Sequence, residues 1–283
     1  MRISTVVTAV LACAPGLASA ALGFALGAKQ PDGQCKLQAD YEADFRAIRE
    51  ASGSNIVRIY AADQCNTAKE VLPAAKKEDF KVVLGIWADT DESYAADKAA
   101  VVRHSPGFEH QVYAVTVGSE SLYRGNFTGP ELADKLKDMK KATPHFKVGT
   151  ADTWNKFNDG TADAVIRQAD ILLANAFSFW QGQAAGNASS YFLDNIARAF
   201  EHIQTVSGEG ATNKKAVPGH DNAEAYYKNG VCFLVQWGFN VFFFEAFDEP
   251  WKPHAISEEG FEAPEVHWGG MTADRRAKYP LKC

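Results

Sequence analysis

Cysteine and methionine are scarce in this 283-residue chain, at five and three residues, and basic side chains are outnumbered, with 29 Lys and Arg against 35 Asp and Glu. No two cysteines form a CxxC pair. None of the seven histidines pairs with another histidine or a cysteine at a typical zinc-ligand spacing, so we expect neither a metal nor a cofactor. A net charge of -6 leaves no basic stripe to neutralise phosphates, which argues against nucleic acid as a partner and favours a neutral ligand. The segment Gly23-Phe24-Ala25-Leu26-Gly27 lacks the GxGxxG spacing of a dinucleotide turn. No apolar run reaches the roughly 20 residues needed to span a bilayer. From Lys278 to Cys283 there is no hydrophobic tail to signal a lipid anchor, so no membrane anchor is expected.

What is present begins with an address. Arg2, the apolar run Val6 to Ala14 and the small residues Ala18-Ser19-Ala20 give the three regions of a secretory signal peptide over residues 1–20, with cleavage after Ala20. Removal of that segment takes Cys13 with it. An even set then remains, Cys35, Cys65, Cys232 and Cys283, in a chain bound for an oxidising compartment, outside the cell or in the cell wall. Four cysteines allow three pairings. We expect Cys35 with Cys65 and Cys232 with Cys283, because each joins neighbouring parts of the architecture read below. Asn126-Phe127-Thr128 and Asn187-Ala188-Ser189 are glycosylation sequons, consistent with a secreted glycoprotein.

Short apolar runs rich in Val, Ile and Phe recur at Ala21 to Gly27, Asn55 to Ala61, Lys81 to Ala88, Tyr113 to Glu120, Lys147 to Thr153, Ile171 to Phe179, Ile203 to Glu209 and Val241 to Asp248. Each reads as a buried strand. The intervals leave room for a crossing helix, and helical stripes fill them: Leu37, Tyr41, Phe45 and Ile48; Leu132, Leu136 and Met139 after Gly129-Pro130; Phe192, Ile196 and Phe200; and a longer helix from His220 to Gly238. Eight βα units without a linker predict an α/β fold, a single-domain (β/α)8 TIM barrel over residues 21–283, monomeric. After Pro250 no long amphipathic stripe follows, so the last helix is expected to be short or replaced by an ordered tail.

A barrel carries its active site where the strands end. Those ends are acidic here: Gly118-Ser119-Glu120, Ser207-Gly208-Glu209 and Glu245-Ala246-Phe247-Asp248-Glu249, with Tyr60, Trp87, Asp152, Trp154, Asn175 and Trp180 around them. A lone acid at a strand end is often a helix cap, and tryptophans are ordinary barrel filling. Several acids on one face, between aromatic walls, suit cleavage of a glycosidic bond, in which one carboxyl protonates the leaving oxygen and another supports positive charge at the sugar carbon.

Val115-Thr116-Val117-Gly118-Ser119-Glu120 with Leu122-Tyr123-Arg124, Asn175 to Gly182, and the run VFFFEAFDEPWK from Val241 to Lys252 resemble fungal members of glycoside hydrolase family 17. Val57-Arg58-Ile59-Tyr60 and Val148 to Trp154 extend the likeness over nearly the whole chain after residue 20. The resemblance implies a retaining barrel enzyme of the fungal cell wall acting on β-1,3-glucan, as an endo-glucanase or a glucanosyltransferase. It implies Glu120 as acid/base and Glu209 as nucleophile, with Glu245, Asp248 and Glu249 supporting the site or touching substrate; Tyr60, Trp87, Asp152, Trp154, Asn175 and Trp180, from the reading of the strand ends, are expected to bind substrate. The chain departs from the family pattern in carrying Ser119 where Asn is usual, and Glu209-Gly210-Ala211-Thr212-Asn213 in place of ETGWP. A glucan-binding wall protein with impaired catalysis is the alternative those departures raise.

Overall fold

The structure, a computed structural model, describes residues 22–207, 224, 226–236, 239–252, 255–256, 262–263 and 265–283. The expected signal peptide, residues 1–20, and Glu209 lie outside the described residues.

Seven parallel strands form one sheet: β1 (Leu22–Ala25), β2 (Ile56–Arg58), β3 (Lys81–Ile86), β4 (Val112–Ser119), β5 (Val148–Thr153), β6 (Ile171–Asn175) and β7 (Val241–Phe243). Their order in space is β6-β5-β4-β3-β2-β1-β7, so each strand lies beside its neighbour in sequence and the last returns to the first. That cyclic order belongs to a barrel; a doubly wound sheet reverses at a switch point. The fold is a single-domain (β/α)8 barrel, with seven of its strands among the described residues.

One expected strand is corrected. Ile203 to Ser207 is the last stretch of helix α7 (Ala188–Ser207). The β-branched residues Ile203, Thr205 and Val206 imitate a strand, but Phe192, Ile196, Phe200, Ile203 and Val206 form one stripe at helical spacing and pack against the core. Helical periodicity over 20 residues prevails over a short β-branched stretch.

The other helices follow their apolar stripes. Helix α1 (Gln38–Ser52) buries Tyr41, Phe45 and Ile48, and Phe45 stacks on Phe80 at 4.4 Å. Leu37, expected on that face, stands just before the helix and is 61% exposed. Helices α2 (Thr67–Lys77) and α3 (Asp91–His104) follow β2 and β3. Helix α4 (Gly129–Ala142) buries Leu132, Leu136 and Met139 and starts at a capping box, in which Thr128 and Glu131 satisfy each other's backbone amides. Two short helices, α5 (Trp154–Asn158) and α6 (Asp163–Ile166), separate β5 from β6. The helix expected over 220–238 is described as a π-helical turn, Tyr227–Val231, running into α8 (Cys232–Gln236).

Beyond β7 an ordered tail stands where the last helix would be. The short antiparallel pair β8 (Ala255–Ile256) and β9 (Glu262–Ala263) leads into a coil whose Met271 N–H donates to the Ala246 carbonyl at 2.9 Å, while Asp248 N–H donates to Met271 at 2.9 Å. Both expected disulfides are present. Cys35–Cys65 joins the loops after β1 and β2, and Cys232–Cys283 fastens the tail to α8.

Candidate active site

At the end of β4 the chain turns sharply. Gly118 has φ 82°, with the Ser121 hydroxyl 2.7 Å from where a Cβ would stand, so only glycine fits there. Glu120 is itself left-handed at φ 60°, a conformation that costs an ordinary residue about 1–2 kcal/mol. Its N–H donates to the Ala151 carbonyl at 2.8 Å, and its half-buried carboxylate accepts from Asn175 Nδ2 at 2.9 Å. Strand pairing brings these groups together: Ser119 lies opposite Ala151, and Thr153 opposite Asn175.

Asp152, on β5, is fully buried. Its carboxylate accepts the backbone amides of Leu122 at 2.8 Å, Tyr123 at 3.2 Å and Thr153 at 2.8 Å. Burial pushes its pKa up to about 6, against the pull of those amides, and the charge of Glu120 adds to the rise. This side chain holds the loop that follows Glu120 and presents no surface to a ligand.

On the other side of β1 the acids are locked. Glu245 is 1% exposed and accepts from Lys252 Nζ through both oxygens, at 2.8 and 2.7 Å. The same ammonium lies 3.1 Å from Glu249 and 4.6 Å from the Phe244 ring centroid. Burial, then the neighbouring Glu249, raises the Glu245 pKa well above the usual carboxylate range; Lys252 opposes the rise. Burial works against the Lys252 charge, but the two carboxylates outweigh it and leave its pKa raised. Gly27 makes the cluster possible, because a Cβ there would stand 1.9 Å from Glu249 Oε1. Asp248 points elsewhere: it accepts from Lys278 Nζ at 2.8 Å and from Gly269 N–H at 3.1 Å, tying the tail down.

Aromatic rings connect the two acidic ends. Tyr60 meets Trp87 edge to face at 6.4 Å and Phe244 at the same distance. Burial raises the Tyr60 pKa, with Arg58 opposing and the charges of Glu245, Glu249 and Glu120 adding to it, which sets this ring among all three acids. Phe244 continues to Phe177 at 5.6 Å and Trp268 at 6.0 Å, and Trp268 to Phe179 at 5.5 Å and Trp180 at 5.9 Å. Trp180, 36% exposed, ends the wall. Trp87 is tied on one edge, its Nε1 donating to Asp89 at 2.7 Å, and capped by the Arg124 guanidinium 4.7 Å from the ring. Trp154 opens α5 and packs against the core, apart from these ring contacts.

The structure thus gathers Glu120, Asn175 and Asp152 at one end and Tyr60, Glu245 and Glu249 at the other. Sequence reasoning missed Phe177, Phe244, Lys252 and Trp268. The first three lie inside motifs already singled out, whereas Trp268 sits in coil, where no periodicity marks it. Among the described residues there is no cluster of three or more potential metal ligands, and no helix is long and apolar enough to cross a membrane.

A parallel barrel with carboxylates at its strand ends and a wall of aromatic rings between them defines the class of barrel glycoside hydrolases. Comparison makes that particular: residues 23–269 match the BtgE/BtgC glycoside hydrolase domain, and the chain belongs to that family, in the fungal branch of glycoside hydrolase family 17. A glucan 1,3-beta-glucosidase of Arthroderma benhamiae is 48% identical over 100% of this chain and 98% of its own length. One from Saccharomyces cerevisiae is 38% identical over 93% and 91%. Among solved structures, an active-site mutant of the Rhizomucor miehei beta-1,3-glucanosyltransferase in complex with laminaritriose superposes with a TM-score of 0.75 at 26% identity, covering 93% of this chain and 97% of that one.

Proposed function

We propose that the protein is a retaining glycosidase of the fungal cell wall that acts on β-1,3-glucan, by endo-hydrolysis, glucanosyl transfer or both. Its membership of the family and its full-length relatives support the substrate class. The observation that carries the chemistry is Glu120, a half-buried carboxyl presented on a left-handed residue at a strand end and oriented by Asn175. Glu209 attacks the anomeric carbon while Glu120 gives its proton to the departing glycosidic oxygen, and the glycosyl group is held on Glu209 as an ester. Glu120 then takes a proton from the acceptor hydroxyl that displaces the ester. Water as acceptor gives hydrolysis, and a glucan hydroxyl gives transfer. Tyr60, Trp87 and Trp180 contribute stacking surface for sugar faces, Asn175 orients Glu120, and Asp152, Glu245, Asp248 and Glu249 support the site from below; Trp154 packs at its edge. The signal segment with cleavage after Ala20, two disulfides and two sequons fit a secreted glycoprotein that acts as a monomer.

The test is incubation of the secreted, disulfide-bonded protein with reduced laminari-oligosaccharides of defined length, following product masses over time. Products only shorter than the substrate identify hydrolysis, and products also longer identify transfer. An unchanged substrate, with the protein still retained on insoluble β-1,3-glucan, overturns catalysis in favour of a binding role.

A further inference from the structure

Arg58 ends β2 with a side chain that is 5% exposed, and burial of its charge lowers its pKa against the opposing influence of Tyr60 and Glu120. Guanidinium stays protonated even so. A buried cation costs several kcal/mol unless carboxylates or well-formed hydrogen bonds offset that cost. Among the described residues Arg58 has little of either. Its Nη2 donates to the Ser119 hydroxyl at 3.1 Å, its plane lies 4.8 Å from the Tyr60 ring, and its Nε has no hydrogen-bond partner among the described residues. Few of the five donors of this arginine meet a partner among the described residues. This one spends its contacts on the residue immediately before Glu120 and on the tyrosine between the acidic ends.

We propose that Arg58 is a positioning residue for the reaction: through Ser119 it fixes the left-handed strand end that presents Glu120. The inference rests on the reading of Glu120 as acid/base. Ser119, buried at the end of β4, holds the chain on one side of Glu120, as Asp152 holds the loop on the other.

The experiment compares Arg58→Met, Arg58→Lys and Ser119→Ala with the unaltered protein, reading kcat and KM on laminari-oligosaccharides from pH 4 to 8 together with thermal midpoints. Methionine fills the buried site without charge, a change that folded cores tolerate. Arg58→Met is expected to lower kcat by about 10²-fold, the scale of a misplaced catalytic group. KM and the thermal midpoint should stay nearly unchanged, so that the loss falls on kcat. Ser119→Ala should lower kcat about 3- to 10-fold with KM likewise unchanged, and Arg58→Lys should recover part of the kcat lost in Arg58→Met. An unchanged kcat in Arg58→Met, or a loss in kcat that follows the thermal midpoint across all three variants, overturns the proposal. If the unaltered protein leaves the oligosaccharides unchanged, the functional reading fails and this inference with it; an active protein with indifferent variants sinks this inference alone.

Discussion

Glu120 and Glu245 each stand just beyond a strand of the same barrel, yet their surroundings are opposite. Glu120 is half-buried, with one side-chain amide on its carboxylate. Glu245 is sealed, both oxygens bound to one lysine that also serves Glu249. The first arrangement leaves lone pairs available to a substrate; the second neutralises charge and fixes the Phe244 ring beside it. Position at a strand end marks both acids as candidates, and the environment separates their roles.

Replacing each acid by glutamine is the sharpest way to break this contrast. Glu120→Gln should cut turnover about 10³-fold, in the range of general acid–base catalysis, with the thermal midpoint unchanged. Glu245→Gln should leave far more of kcat and alter the midpoint instead; equal losses of kcat in the two variants would erase the distinction. Next in size is Lys252→Met, which strands two buried carboxylates and should destabilise the fold by about 3–5 kcal/mol in urea unfolding at pH 7. That loss should shrink at pH 4, where Glu245, whose pKa is raised, accepts a proton, and a pH-independent loss would mean that Lys252 acts through packing.

Asp152 supplies a third, somewhat smaller effect. Its pKa is raised from 3.8 to about 6 in the fold, so the stability it contributes is fully present below pH 3.8 and is lost as pH rises through 6. The difference corresponds to about 3 kcal/mol. Glu245, also raised, acts in the same direction. Unfolding free energy should therefore decline between pH 4 and 7, and Asp152→Asn should flatten the decline; a variant with an unchanged slope would clear Asp152 of it. Smallest is Asn175→Ala, which removes one hydrogen bond to Glu120 and should lower kcat about 5- to 10-fold, the value of roughly 1–1.5 kcal/mol, with KM nearly constant.

Six of the strands and the last one were legible because buried parallel strands are runs of Val, Ile and Phe bounded by polar residues, a pattern that survives any tertiary context. Ile203 to Ser207 was not, since three β-branched residues, Ile203, Thr205 and Val206, give the end of a long helix the composition of a strand. Leu37 belonged to the right spacing but lay one residue outside the helix. At the site, Glu120 and Asn175 were readable as polar ends of apolar runs. Lys252 and Trp268 were not, because what gives them meaning is contact with Glu245 and with the rings of Phe177 and Phe244, separations that no local period encodes. Asp152 was found for the right position but the wrong neighbour: it faces backbone amides and not the cleft.

The Cys232–Cys283 link encloses β7, the Glu245 cluster, Trp268 and the whole returning tail. A single proteolytic nick anywhere in that stretch leaves the two pieces joined by a covalent bond. Trp268 and Lys252 would remain tethered to the barrel through either end of the cut. A clipped protein would therefore migrate as an intact one until reduced, and would separate into fragments only when the sulfur bridge is opened.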